Sequence, residues 1–252
     1  MNHALRARSF DRAAAQYAAH RPSYPPALYD ALEELSGRRL AGARVVDVGA
    51  GTGIGTAPLI GRGARVVAVE PGDGMAAEFR RALPDVPLVR GDGNHLPLAT
   101  GSADFVTYAQ AWHWTDPARS VPEARRVLRP GGTLALWWND ADRSVPWIAE
   151  QVRRARSHLG APEETEADVA AIRGLPVELG LVHRRVRWSR RVSLESHLAN
   201  LTSHSEFLVL GEPGTSAFLA EERRLLSALF PDGTIEERYV TDLSLAVLDP
   251  GI

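Results

Sequence analysis

The stretch ARVVDVGAGTGIG, Ala43 to Gly55, decides how the chain folds. Val45, Val46 and Val48 make a short β-branched apolar run, as expected of a strand buried on both faces of a parallel sheet. Gly49, Gly51, Gly53 and Gly55 alternate directly behind it, so the backbone can turn sharply and approach a ligand with no Cβ in the way. With a helix expected from Thr56, the unit of strand, glycine loop and helix start offers free backbone N–H groups to a bound polar group. A tight turn with no ligand is the other reading of the same residues. The dinucleotide pattern G-x-G-x-x-G fails in each frame: the last position is Ile54, Thr56 or Pro58. NAD is therefore disfavoured.

The frame around this loop is that of an ordinary globular protein. The 252 residues suit one large α/β domain or a core with an inserted subdomain, and 44% hydrophobic with 24% charged residues is enough to bury a core. A net charge of -2 advertises neither a nucleic-acid nor a membrane partner. Absence of cysteine excludes a disulfide framework, a thiol nucleophile and a cysteine metal site. All 29 basic residues are arginine, which excludes a lysine Schiff base and most pyridoxal phosphate chemistry. No apolar stretch reaches the length that spans a bilayer, and the N-terminus lacks the apolar core of a signal peptide, so a cytoplasmic location is expected.

Downstream of the loop, strands and acidic residues recur together. Residues 64–69 read as a second apolar strand ending in Glu70, about where a ribose presents its hydroxyls. Pro71 to Met75 reads as a turn into a helix, with Met75 able to cover an adenine face. A third strand at 87–90 runs into Gly91-Asp92-Gly93-Asn94, which as a bare pattern is an Asp-Gly turn. A fourth strand, 102–109, ends against the aromatic run Trp112-His113-Trp114, bordering the switch point where open α/β sheets bind ligands. A helix over 121–128, a stop at Arg129-Pro130-Gly131-Gly132 and a fifth strand over 133–138 follow.

Taken in order, Asp47 with Gly49-x-Gly51-x-Gly53, Glu70, the GDGNHLPL run from Gly91 and EARRVLRPGGTLALWW resemble the class I S-adenosylmethionine-dependent methyltransferases. Upstream, FDRAAAQYAAHRPSYP is similar to the N-terminal lid of the type 11 small-molecule group, which includes relatives of the trans-aconitate methyltransferases. The resemblance covers roughly residues 10–139. It implies that S-adenosyl-L-methionine is held by Tyr17, Arg21, Asp47, Gly49, Ala50, Gly51, Thr52, Gly53, Glu70, Pro71, Met75, Asp92, Gly93, Asn94, Ala109 and Gln110. In that arrangement Arg21 and Tyr17 lie over the methionine end, Glu70 on the ribose and Asp92 on the adenine amino group. The implied fold is a Rossmann-like, doubly wound, seven-stranded and mostly parallel α/β sheet. An N-terminal helical lid precedes it, and a helical cap is inserted after the fifth strand.

The remainder divides as 1–139, lid and cofactor core, and 140–252, cap and closing strands of the same domain. In the second part, helices are expected at 148–159, 193–205 and 216–230, an arginine-laden edge strand at 182–192 and a closing strand at 234–248. His113 is the candidate general base, since it titrates near neutral pH and lies just beyond the fourth strand; a packed structural histidine is the alternative. Tyr24, Trp112, His113, Trp137, Trp138, His197 and His204 are the expected acceptor-site residues. No metal is expected, because His95, His183, His197 and His204 lack ligand spacing.

The function these readings imply is methyl transfer to a small-molecule acceptor, an aromatic or apolar metabolite of secondary metabolism, by a monomer or homodimer. Methyl esterification of a small carboxylate is the alternative within the class. A nucleotide-linked oxidoreductase and a non-catalytic binding subunit are the alternatives outside it.

Overall fold

A computed structural model describes residues 14–15, 17–162, 165–203, 207, 210 and 212–248. The Val-rich segment forms β1 (Arg44–Val48), followed by the glycine turn and a short α2 (Thr56–Gly61), with α1 (Pro26–Ser36) in front. Next come β2 (Arg65–Val69), α3 (Asp73–Ala82), β3 (Leu88–Val89) and β4 (Ala103–Ala109). Helix α4 (Pro117–Val127) starts four residues earlier than its apolar pattern foretold. Asp116 caps it, its carboxylate accepting from Ala118 N at 3.1 Å, and Pro117 fills the first turn.

The fifth strand is also longer than expected. β5 (Leu128–Ala141) includes the Arg129–Gly132 stop signal, which appears as a register irregularity against β4 rather than as an end. Two helices, α5 (Pro146–His158) and α6 (Glu166–Arg173), then precede β6 (Val182–Ser193). Two more, α7 (Leu194–Thr202) and α8 (Glu212–Leu229), separate it from β7 (Thr234–Leu248). Of the N-terminal lid, residues 14, 15 and 17–20 are helical within the described set.

The seven strands lie in the order β3-β2-β1-β4-β5-β7-β6, with β1 to β5 parallel and β7 antiparallel to both neighbours. This is the expected Rossmann-like, doubly wound sheet with flanking helices. Each face carries its own core, because strand side chains alternate. Val46, Val48, Val106, Leu134 and Trp138 pack on one face. Val45, Phe105, Ala135 and Trp137 pack on the other, with Leu28 and Leu32 of α1 and with Leu243 and Leu245 of β7. Among the described residues no helix is long and apolar enough to cross a membrane.

Candidate active site

The carboxyl ends of β1, β2, β4 and β5 open into one cleft of about 1590 Å³. It exceeds the few hundred to about 1,000 Å³ of a typical single-ligand site, so there is room for two reactants. Its floor is the glycine turn. Gly49 adopts φ +67°, and a Cβ there would lie 2.5 Å from the Cβ of Ala111, so the tight approach of the turn to the β4 end tolerates no side chain. Gly51 has φ +58° with open space where its Cβ would be, and its amide donates to Glu70 Oε2 at 2.8 Å.

Glu70 latches the floor. Its second oxygen accepts from Gly72 N at 2.7 Å, so one carboxylate joins the glycine turn to the turn that opens α3. Glu70 also lines the cleft, so the residue that braces the two turns stands at the ligand space. Pro71 and Met75 line the same wall. Asp92 accepts from Asn94 N at 2.8 Å, while the Asn94 side chain accepts from Asp116 N at 2.7 Å. Gly93 lies so close to Tyr108 that a Cβ would sit 2.9 Å from the phenol oxygen. Asp92, Gly93 and Asn94 all border the cleft.

Asp47 and Gly53 do not open to it. Asp47 is wholly buried beneath the turn, accepting from the hydroxyls of Thr56 at 2.6 Å and Thr107 at 2.9 Å. Burial pushes its carboxyl up to about 6, with the two hydroxyls pulling the other way. Its contribution is to hold the loop from below. Gly53 faces Phe79 and Leu83. Ala50 and Thr52, also expected at the cofactor, border a side pocket of about 40 Å³ shared with Tyr17, Arg21 and Gln110.

At the lid, the Arg21 guanidinium lies 4.8 Å over the Tyr17 ring and donates to Ser203 O at 3.4 Å, while its buried Nε has no partner among the described residues. Ala109 and Gln110 close the β4 end. Gln110, at φ +57°, is the one non-glycine residue with positive φ among the described residues, and such backbone strain concentrates where ligands bind.

Only part of the set expected at an acceptor meets at the cleft. His113 and Trp138 line the cleft, and the Trp138 indole N–H donates to His113 Nδ1 at 3.3 Å. In the neutral ring this pairing leaves the proton on Nε2, and protonating Nδ1 requires the indole bond to break.

Trp112 is instead fully buried in the core, donating to Gly174 O at 2.9 Å with its ring edge-on to Tyr108. Trp137 is equally buried on the opposite face of the sheet: adjacent residues of one strand point to opposite sides, so Trp137 and Trp138 cannot share a pocket. Tyr24 packs edge-on against Trp137 and borders the side pocket by the glycine turn, away from the acceptor space.

His197 lines the cleft but is tied on both sides, its Nδ1 2.7 Å from Glu237 Oε1 and its Nε2 3.1 Å from Gln151 Oε1. Glu237 in turn accepts from Arg190 Nε at 2.6 Å and the Tyr239 hydroxyl at 2.8 Å. Burial opposes its charge, but His197, Arg190 and Tyr239 outweigh that and hold it down at about 2. His204 lies outside the described residues. Sequence reasoning missed Asn139, Asn200 and Tyr239, which line the cleft from β5, α7 and β7. No local pattern marks them: the β5–β7 register that sets Asn139 opposite Thr241 joins distant parts of the sequence.

Residues 46–136 match a family described as a methyltransferase domain. From β1 into β5 the chain thus resembles the class I methyltransferases. An uncharacterised methyltransferase of Mycobacterium tuberculosis is 47% identical over 142 residues, 56% of this chain and 56% of that protein. A demethylmenaquinone methyltransferase of Beutenbergia cavernae is 43% identical over 96 residues, 38% of this chain and 40% of that protein. The chain thus spans about half the length, or less, of these curated relatives. A solved structure from Anaeromyxobacter dehalogenans, assigned as a type II methyltransferase, superposes with a TM-score of 0.72 at 25% identity, covering 92% of this chain and 99% of that one. S-adenosylmethionine is the cofactor of the class. The cleft here fits it: glycine backbone at the floor, a carboxylate at the β2 end, and the Arg21 Nε, unpartnered among the described residues, which suits a cofactor carboxylate.

Proposed function

We propose that this protein transfers the methyl group of S-adenosylmethionine to a small molecule with an apolar body, as a tailoring step on a metabolite. The observation that carries the reading is the cleft itself. One volume is shared by the Gly51–Glu70 floor and by a cap wall of Val152, Ala155, Leu159, Leu201 and Phe207. When bound, the sulfonium supplies an activated methyl and its own leaving group, so the protein's tasks are alignment and exclusion of water.

Arg21 is assigned to the cofactor carboxylate, Tyr17 to covering the methionine end, Glu70 to the ribose and Asp92 to the adenine amino group. Asp47 acts indirectly, by bracing the loop. His113, held by Trp138, orients the acceptor by donating to it. Alignment of two reactants alone accounts for roughly 7 to 11 kcal/mol of barrier lowering, so an acceptor that needs no strong base is turned over without one.

A carboxylate acceptor is the second reading. Arg173 and Arg185 border the outer cleft and favour an anion, but Arg173 is paired with Asp140 and Asp242, and Arg185 with Asp242.

Calorimetric titration with S-adenosylhomocysteine, beside an NAD control, tests the cofactor; acceptor screening by a mass gain of one methyl tests the reaction. Binding of the thioether product and not of NAD is expected. Folded protein that binds neither ligand ends the methyltransferase reading.

A further inference from the structure

Two side-chain amides in the cleft are each held in one orientation with half of the amide unsatisfied. Asn139 Oδ1 accepts from Trp188 Nε1 and from Thr241 Oγ1, both at 2.9 Å, and its Nδ2 is buried with no partner. Asn200, only 6% exposed, donates through Nδ2 to the Tyr239 hydroxyl at 3.1 Å and to Glu237 Oε1 at 3.4 Å, while its Oδ1 is buried with no partner among the described residues.

Neither amide can turn over to relieve this. A flipped Asn200 would set its oxygen against the Glu237 carboxylate, and a flipped Asn139 would set two donors against the indole N–H. The two residues belong to one wall. The Trp188 ring, bonded to Asn139, stacks on Tyr239 at 4.9 Å and 24°, and Tyr239 is bonded to Asn200.

Buried polar groups are nearly always paired, so an orphan N–H and an orphan carbonyl on one cleft wall call for a ligand that supplies both partners. We infer that Asn139 and Asn200 select the acceptor, and that the acceptor carries a neutral hydroxyl which accepts from Asn139 Nδ2 and donates to Asn200 Oδ1. The inference rests on the methyl-transfer reading and narrows its substrate class from apolar metabolites to hydroxylated ones. A carboxylate is rejected at this wall: it has no proton to give Asn200, and its charge would face both that carbonyl and Glu237 behind it. The apolar cap opposite takes the body of the molecule.

The test uses two probes of the same shape that differ in the head group, 1-naphthol and 1-naphthoate. Each is titrated at neutral pH into protein saturated with S-adenosylhomocysteine. The naphthol is expected to bind at least about tenfold more tightly, because a site built on hydrogen bonds discriminates strongly against a ligand that leaves them unmade. In Asn200→Leu the preference is expected to shrink to about twofold or less with S-adenosylhomocysteine affinity unchanged, since the loss is confined to the acceptor wall.

Naphthoate binding as well as naphthol, or neither probe binding while S-adenosylhomocysteine does, overturns the assignment and leaves methyl transfer standing. Failure of the wild type to bind S-adenosylhomocysteine removes both readings together. Should Asn200→Leu not fold, the wild-type ratio decides alone.

Discussion

Asp47 and Glu237 are both buried carboxylates, one under the cofactor floor and one behind the acceptor wall, and they are handled in opposite ways. Among the described residues Asp47 is hydrogen-bonded by the hydroxyls of Thr56 and Thr107, and burial lifts its carboxyl to about 6. Glu237 meets burial too, but His197 and Arg190 hold it at about 2. The cofactor half is assembled from backbone amides and neutral hydroxyls at the carboxyl ends of neighbouring parallel strands. The acceptor half is assembled from charged and amide side chains brought together across long separations.

The sharpest way to break this contrast is to neutralise the paired carboxylate. Glu237→Gln leaves Arg190 and His197 without their counter-charge, and chemical denaturation is expected to show a loss of about 3–5 kcal/mol. If the loss is under about 1 kcal/mol, the network is ornamental.

The pH dependence separates the two carboxylates by sign. For Glu237 the folded value lies below the unfolded one near 4.3, so its stabilisation is present above that value and fades as pH falls toward 2. For Asp47 the folded value lies above the unfolded one near 3.9, so stability declines as pH rises from about 4 to 6 and is flat beyond. Each contribution is on the order of 2–3 kcal/mol. Denaturation across this range should show the upper decline vanish in Asp47→Asn while the acid limb persists.

Glu70→Ala unlatches Gly51 from Gly72 and removes the carboxylate proposed for the ribose. S-adenosylhomocysteine affinity is expected to drop roughly 30-fold, about 2 kcal/mol, with folding intact. The smallest effect is expected from Trp112→Phe, which loses one buried bond to Gly174 O for about 1 kcal/mol of stability and leaves both ligand affinities unmoved. A drop in acceptor affinity there would return Trp112 to the pocket.

The same contrast explains what was legible in the sequence. The sheet, the glycine turn, Glu70 and Asp92 could be placed because each lies at a strand end whose apolar run announces it. The acceptor wall could not, because Asn139 finds Thr241 102 positions away and His197 finds Glu237 40 positions away, and no local pattern encodes such pairs. Trp137 was misplaced for a different reason. Composition drew attention to the Trp137-Trp138 pair, whereas the period of two along a strand already required them to part.

β7 reaches the sheet between β5 and β6 and packs Leu243 and Leu245 beside Val45, Phe105 and Trp137. During synthesis all five parallel strands leave the ribosome before it does. Until then the nascent chain carries an open apolar face along β5, together with its unpaired strand edge, the combination that recruits chaperones or invites mispairing. The strand that brings Tyr239 and Thr241 beside Asn200 and Asn139 thus also covers the apolar face of the parallel strands, and a ribosome stalled before residue 234 holds those strands with that face still open.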